Sequence, residues 1–536
     1  MKRLIKNAEI IDGSGEASFT GSVLIGEDRI QAVMRGRLDA QTERTLGLTA
    51  DQVVDAEGLT LMPGFIDTHT HADLMLLSDR IILPAIGQGI TTLVVGQDGV
   101  SMAPLPEDKI ALWRENLKNL DGDSDEIDWH YRTTEGYLKE IERHPASVNA
   151  AYLAPHGNIR LEVMGLKGRP ATDREIKEMG RILERELQGG AIGLSTGLIY
   201  VPCLFAEKKE LTALCRVCAE YGVPLAIHQR SEGSDLIASM REVLAIGRVS
   251  GASVHFSHFK VQGKKNQKMA GTVLDLLDEA ESEGLHITFD QYPYIAGSTT
   301  LGVILPPWAF DGGHEALMAR LRDPELRKRM KEDTLTGLPG WDDFYDSVGF
   351  ENIRVTDLPG RKNRDLIGLS LPEIAERREK EVFEAVYDLL LEEENHVTMV
   401  DEYGSEAVLL ELMARPEMNF CTDGLLWSRH PHPRAYGGAV RLLEDYTGKA
   451  GLTIEGLVRK LTSEGALSHG LAQRGLIRPG YFADLNLVDL SELHDRSTYE
   501  DPCRLPTGIR ATYVNGREVM KEGHFTGQYP GRVLRR

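Results

Sequence analysis

The chain is poor in the features that would place it outside the cell, in a membrane or on nucleic acid. Five cysteines in 536 residues (Cys203, Cys215, Cys218, Cys421 and Cys503) are too few and too scattered for a disulfide framework and suit a reducing compartment. No apolar run approaches bilayer-spanning length, and the start, "MKRLIKNAEIIDGSGE", lacks a long apolar segment followed by a small-residue cleavage site, so a cytoplasmic address is expected. Positive charge is in deficit: 61 Lys plus Arg face 82 Asp plus Glu, and the net charge of −21 repels nucleic acid and anionic membrane alike. There is no internal repeat and no low-complexity tract. With 41% hydrophobic and 27% charged residues, what remains is a globular protein with a small-molecule partner.

What is present is alternation. Eight short apolar stretches, each closed by a polar or glycine-containing turn, run along the chain: "LMPGFIDTHTH", "ITTLVVGQDG", "VNAAYLAPHG", "AIGLST", "PLAIHQR", "VHFSHFK", "HITFDQYPY" and "MNFCTDG". Between most of them lie segments with apolar residues at helical spacing, such as "DREIKEMGRILERELQGG". Strand and helix in alternation predict parallel strands with right-handed crossovers, and eight such units fit a (β/α)8 TIM barrel of the α/β class over residues 61–474. The C-x-x-C of Cys215 and Cys218 falls in a helical pattern and reads as helix packing.

The ends follow another rule. Residues 1–60 and 475–536 carry short alternating segments separated by "DGSG", "GED" and "NGRE", which are antiparallel turn signals. Each piece is too small to bury a sheet alone, so the two termini are expected to join in one small β-sandwich domain. Residues 297–400 are too long for a barrel loop and read as an inserted lid subdomain. Within it, "SLPEIAERREKEVFEAVYDLLLEEE" opens with Ser370 and Glu373 in capping-box spacing and predicts a helix.

In a barrel of this kind the C-terminal strand ends share one face. The residues closing the apolar runs are His69 and His71, Asp98, His156, His228, His258 with Lys260, Tyr292 with Tyr294, and Asp423. His69 and His71 point to the same side of an extended chain because side chains alternate with a period of two. Singly, each of these residues has an ordinary structural explanation; together, at five strand ends, they predict a metal site. Imidazoles and carboxylates suit zinc or another divalent ion such as manganese or cobalt, one or two ions, with a position left for water. Asp423 is the natural proton carrier for hydrolysis of an amide-like bond.

The set "GFIDTHTH", "AIHQRSEG", "FSHFK", "DQYPYIAGST", "TDGLLWSRHPHPR" and "RGLIRPGYFADLNLVD" resembles the amidohydrolase superfamily and, within it, the N-acyl-D-amino-acid deacylases, or D-aminoacylases. The resemblance implies a metal barrel that cleaves N-acyl-D-amino acids to a carboxylate and a free D-amino acid. By position it implies His69 and His71 on one metal, His228 and His258 on the other or only metal, and Asp423 as catalytic acid and base. Lys260, Tyr292, Ser298 and Arg434 would contact the substrate, the cations gripping its α-carboxylate; His156 is grouped with them as a substrate-facing residue. The family usually has a Gly-Asn-Cys-Gly turn after the second strand, whose cysteine ligates metal. Here the turn reads "GQDG", so Asp98 becomes the expected ligand, a harder donor that can bridge two ions. Cyclic-amide hydrolysis and cleavage of D-residue dipeptides are the alternative activities, and a catalytically silent barrel is the alternative of another class.

Overall fold

A computed structural model describes residues 2–118 and 120–536. All eight predicted strands are present: β1 (Phe65–Asp67), β2 (Ile90–Val95), β3 (Asn149–Tyr152), β4 (Leu194–Gly197), β5 (Leu225–His228), β6 (Val254–Phe256), β7 (Ile287–Gln291) and β8 (Met418–Phe420). Neighbours pair in parallel from β1 to β3 and from β4 to β8. The link across the gap is made by Ala154–Pro155, just beyond β3, which pairs with β4. At the outer ends of the array, the Thr68 N–H donates to the Phe420 carbonyl (3.2 Å) and the Asp423 N–H to the His69 carbonyl (2.8 Å). This is an α/β fold with large parallel sheets, consistent with a TIM-barrel-like arrangement. Strands such as β2 and β7 are buried along their whole length, as helices on one face and core on the other require.

The helices between the strands form for local reasons. Asp173–Gln188 starts at a capping box in which Thr172 and Glu175 satisfy each other's backbone donors, buries Ile176, Met179, Ile182 and Leu183 on one face, and stops at Gly189. Lys208–Tyr221 buries Cys215 and Cys218 completely, and both are free thiols in the core.

Strands from both chain ends share one nine-stranded sheet. Thr60–Pro63 lies at its centre, paired with both Lys2–Ile10 and Leu485–Val488. Its own core includes Ile5, Val23, Ile25, Leu485 and Tyr513. These strands are hydrogen-bonded in one continuous path, and the last strand, Val533–Leu534, lies outside it and pairs with β3.

The insertion has a hydrophobic core of its own, drawn from Leu317, Ile353, Leu371, Leu390 and Met399 among others. A three-stranded antiparallel sheet (Ala296–Thr300, Ile353–Asp357, Thr398–Glu402) ties both ends of the insertion together. The predicted capping box at Ser370 and Glu373 is formed, but the helix it starts ends at Arg378. Glu379 turns left-handed (φ 52°), and a second helix runs over Val382–Glu392, so the single predicted helix is two.

Leu390 is fully buried in the insertion core. Leu390→Ala is expected to cost about 2–5 kcal/mol, lower the thermal midpoint and open residues 297–400 to limited proteolysis. An unchanged midpoint with the same cleavage pattern would show that this segment has no packed core.

Candidate metal centre

Strand β1 stops at Asp67 because its carboxylate turns back on the backbone. It accepts from the N–H of Thr422 (2.8 Å), from the Thr422 hydroxyl and from the N–H of His69 (3.3 Å), which locks the end of β1 to the end of β8. Beyond this lock, Thr70–His71 pairs with Gly424–Leu425, and His69 and His71 enter the interior with ring centroids 5.4 Å apart.

The turn after β2 presents Asp98. Gly96 (φ 81°), Asp98 (φ 55°) and Gly99 (φ 73°) all occupy the left-handed region. Gly96 has no alternative, since a Cβ there would lie 2.3 Å from the Leu153 carbonyl. His258 (φ 36°) and Asp423 (φ 47°), just past β6 and β8, are also left-handed. Each such non-glycine residue costs about 1–3 kcal/mol unless its surroundings hold it. For His258 the holder is Asp290 on β7, which accepts the His258 N–H and is itself bound by His255 Nε2 (2.8 Å).

Asp98 lies at the middle of the cluster. Its Oδ1 is 3.8 Å from both His69 Nε2 and His258 Nε2, and its Oδ2 is 3.6 Å from His71 Nε2. Asp423 Oδ1 is 3.6 Å from His69 Nε2 and 3.7 Å from His71 Nε2. His228 Nδ1 and His258 Nε2 face each other at 2.9 Å. Three overlapping donor sets result: His69, His71 and Asp423; His69, Asp98 and His258; and His228, Glu232 and His258, each with its donor atoms within 4.8 Å of one another.

Burial pushes the imidazoles of His69 and His228 down to about 4, so both are neutral and keep a lone pair. Burial alone would raise the Asp98 carboxyl, but the surrounding imidazoles of His69, His258 and His71 hold it well below the usual carboxylate range. His69 Nε2, Asp98 Oδ1 and His228 Nε2 are buried without a hydrogen-bond partner. Orphaned donor atoms of this kind, in a nitrogen and oxygen set, fit a divalent cation.

Around the cluster, Arg434 Nη2 binds Asp423 Oδ2 at 2.8 Å and the Ser298 carbonyl at 3.1 Å, and its guanidinium lies 4.3 Å from the centre of the Tyr292 ring. Arg434 is fully buried at the start of the helix Arg434–Tyr446, and its Nε and Nη1 have no partner. Lys260 Nζ reaches Glu232 (2.6 Å) and His258 Nδ1 (2.8 Å). It therefore stands behind the His258 ring, on the side away from Asp98, where it cannot bridge two ions.

His156 is a correction. Its Nδ1 contacts Thr196 (2.9 Å) and its Nε2 contacts Glu210 (2.8 Å), which also binds Arg160. Both ring nitrogens are consumed in a buried structural network, so neither is left for a substrate. Two carboxylates that do not close an apolar run also reach the cluster: Glu232 lies 3.2 Å from His258 Nδ1 and Asp121 3.5 Å from His71 Nδ1. Glu232 follows His228 by four residues in "HQRSEG", a readable signal; Asp121 closes no strand and gives none.

The chain matches the Amidohydrolase family over residues 52–224 and 396–520. It belongs to that family. Within it, the chain is 33% identical to the D-aminoacylase of Alcaligenes xylosoxydans xylosoxydans over 99% of its own length and 97% of the relative's, and 32% identical to the N-acyl-D-aspartate deacylase of the same organism over 99% and 94%. The crystal structure of an N-acyl-D-glutamate deacylase from Bordetella bronchiseptica, complexed with zinc and a phosphonate inhibitor, superimposes with a TM-score of 0.82 at 29% identity, covering 99% of each chain. The place in the family is the D-aminoacylase, or N-acyl-D-amino-acid deacylase, branch.

Asp98→Ala is expected to reduce bound divalent metal, measured by elemental analysis of the purified protein, to half or less of the wild-type content. Full metal loading in this variant would remove Asp98 from the centre.

Proposed function

We propose that the protein is a metal-dependent hydrolase that cleaves N-acyl-D-amino acids to a carboxylate and a free D-amino acid, at a centre formed at the mouth of a closed eight-stranded barrel. The observation that carries this reading is the convergence of Asp98, Asp423 and four imidazoles beside a buried arginine with two unpartnered donor nitrogens, in a chain aligned end to end with deacylases of D-amino acids.

His69, His71, His228, His258, Asp98 and Asp423 are the residues that would hold one or two ions, zinc being the best fit to the donor set. A bound divalent ion lowers the pKa of water toward neutrality and polarises the acyl carbonyl. Asp423 divides its work between its two oxygens. Oδ2 is held by Arg434 and keeps the carboxylate from rotating, while Oδ1 faces His69 and His71, where it takes a proton from the attacking water and passes it to the leaving nitrogen. Burial opposes ionisation of Asp423, but Arg434 and the imidazoles hold its carboxyl below the ordinary value, so it begins the cycle as a base.

The pocket on the far side of the cluster is lined by Tyr200, Lys260, Tyr292, Ser298, Phe344 and Tyr403 among others. Ser298 and Phe344 belong to the insertion, which thereby serves as the lid over the site. Lys260, Tyr292, Ser298 and Arg434 orient the substrate, with the cations on its α-carboxylate.

The reading is tested with N-acetyl amino acids of both hands and with Asp423→Asn. D-substrates are expected to be hydrolysed and their L-forms not. The variant is expected to lose about 10²- to 10⁴-fold in kcat with its metal retained. Equal turnover of both hands, or an Asp423→Asn enzyme with wild-type kcat, would contradict it.

A further inference from the structure

The substrate pocket is lined by two side chains whose acceptor capacity is only partly used among the described residues, Asp401 and Gln262. Asp401, on the inner strand of the insertion sheet, is 97% buried, and its Oδ2 receives one long bond, from Gln262 Nε2 at 3.3 Å. Among the described residues no hydrogen-bond donor is assigned to its Oδ1. Gln262 is buried to the same degree, and its Oε1 has no partner. Turning the amide over would set Oε1 against the carboxylate, so Asp401 fixes Gln262 with its oxygen free.

Both residues line the same cavity as Lys260, Ser298 and Asp423. The backbone keeps the Asp401 carboxylate open. Asp401 pairs across the sheet with Gly297, where a Cβ would stand 2.9 Å from Asp401 Oδ1. The other carboxylates of the pocket are committed, Glu232 to Lys260 and His258, and Asp423 to Arg434. Burial raises the Asp401 carboxyl to about 7, against the lowering effects of the Gln262 hydrogen bond and of the Lys260 and Arg434 charges, so a further donor on its oxygens would favour the ionised form. The aromatic rings of Tyr200, Phe344 and Tyr403 complete the walls and tolerate a cation.

From this geometry we infer that Asp401 and Gln262 form a side-chain subsite selecting N-acyl-D-amino acids whose side chain ends in a cationic hydrogen-bond donor, an ammonium or guanidinium. The inference rests on the deacylase reading above and names its substrate class. An acidic side chain would bring like charge against Asp401, and an apolar one would leave two buried acceptors unpaired, so both are disfavoured.

The test compares kcat/KM for Nα-acetyl-D-lysine with that for Nα-acetyl-D-norleucine, which lacks only the terminal amine, and with that for N-acetyl-D-glutamate. The lysine-to-norleucine ratio is expected to exceed about tenfold in the wild type and to fall toward unity in Asp401→Asn, with a partial fall in Gln262→Met as the second variant. Calorimetry with the free products provides a readout without turnover: D-lysine is expected to bind more tightly than D-norleucine, and to lose that advantage in Asp401→Asn. A wild type that prefers norleucine or glutamate, or a ratio unchanged in both variants, overturns the subsite and leaves the deacylase reading standing. If no N-acyl-D-amino acid is turned over, the deacylase reading falls, and equal binding of D-lysine and D-norleucine would then reject the acceptor pair on its own.

Discussion

The structure of the site depends on one buried charge. Asp98 is an ionised carboxylate almost without solvent, held in a left-handed turn among the imidazoles of His69, His71 and His258. An isolated carboxylate in such a place would be neutral or would unfold its surroundings, because the effective penalty for burying an ion is several kcal/mol. Its two oxygens point to different members of the cluster, Oδ1 to His69 and His258 and Oδ2 to His71. Burial holds the His69 imidazole neutral, and its unpartnered Nε2 faces Asp98. A divalent cation satisfies both sides of this arrangement at once.

The surrounding protein is built to keep that arrangement rigid. Three of the site residues adopt left-handed backbone, and each is held from behind: Asp98 by its glycine neighbours, Asp423 by the N–H bond to the His69 carbonyl, and His258 by Asp290 and His255. Asp67 has no part in the chemistry, yet it fastens the ends of β1 and β8 together, so that His69, His71 and Asp423 keep their spacing. The division of labour then follows the chain. Strand ends of the parallel array supply the candidate metal donors, and the insertion, anchored by its own sheet, supplies Ser298, Phe344 and Asp401 to the pocket.

Much of this was legible in the residues. Period-two spacing of His69 and His71, and acidic or imidazole side chains at the close of separate apolar runs, follow from strand geometry alone, and the eight strands form where the runs occur. The joining of the two termini followed from their having too few residues to bury separate sheets. What could not be read depended on tertiary contact. His156 closes an apolar run like the others, but Glu210 and Thr196 from neighbouring elements occupy both its nitrogens. The helix begun at Ser370 looks continuous by periodicity, yet it turns at Glu379. Asp121 and Asp401 carry no motif, and only packing brings one to His71 and the other to the pocket floor.

The most direct test of the central claim is the position of the metal itself. Anomalous diffraction at the zinc edge from crystals of the zinc-loaded protein should show density between His69, His71, Asp98 and Asp423, with any second peak on the other side of Asp98 next to His228 and His258. Density confined to other side chains, or none at the strand ends with zinc in excess, would contradict the account.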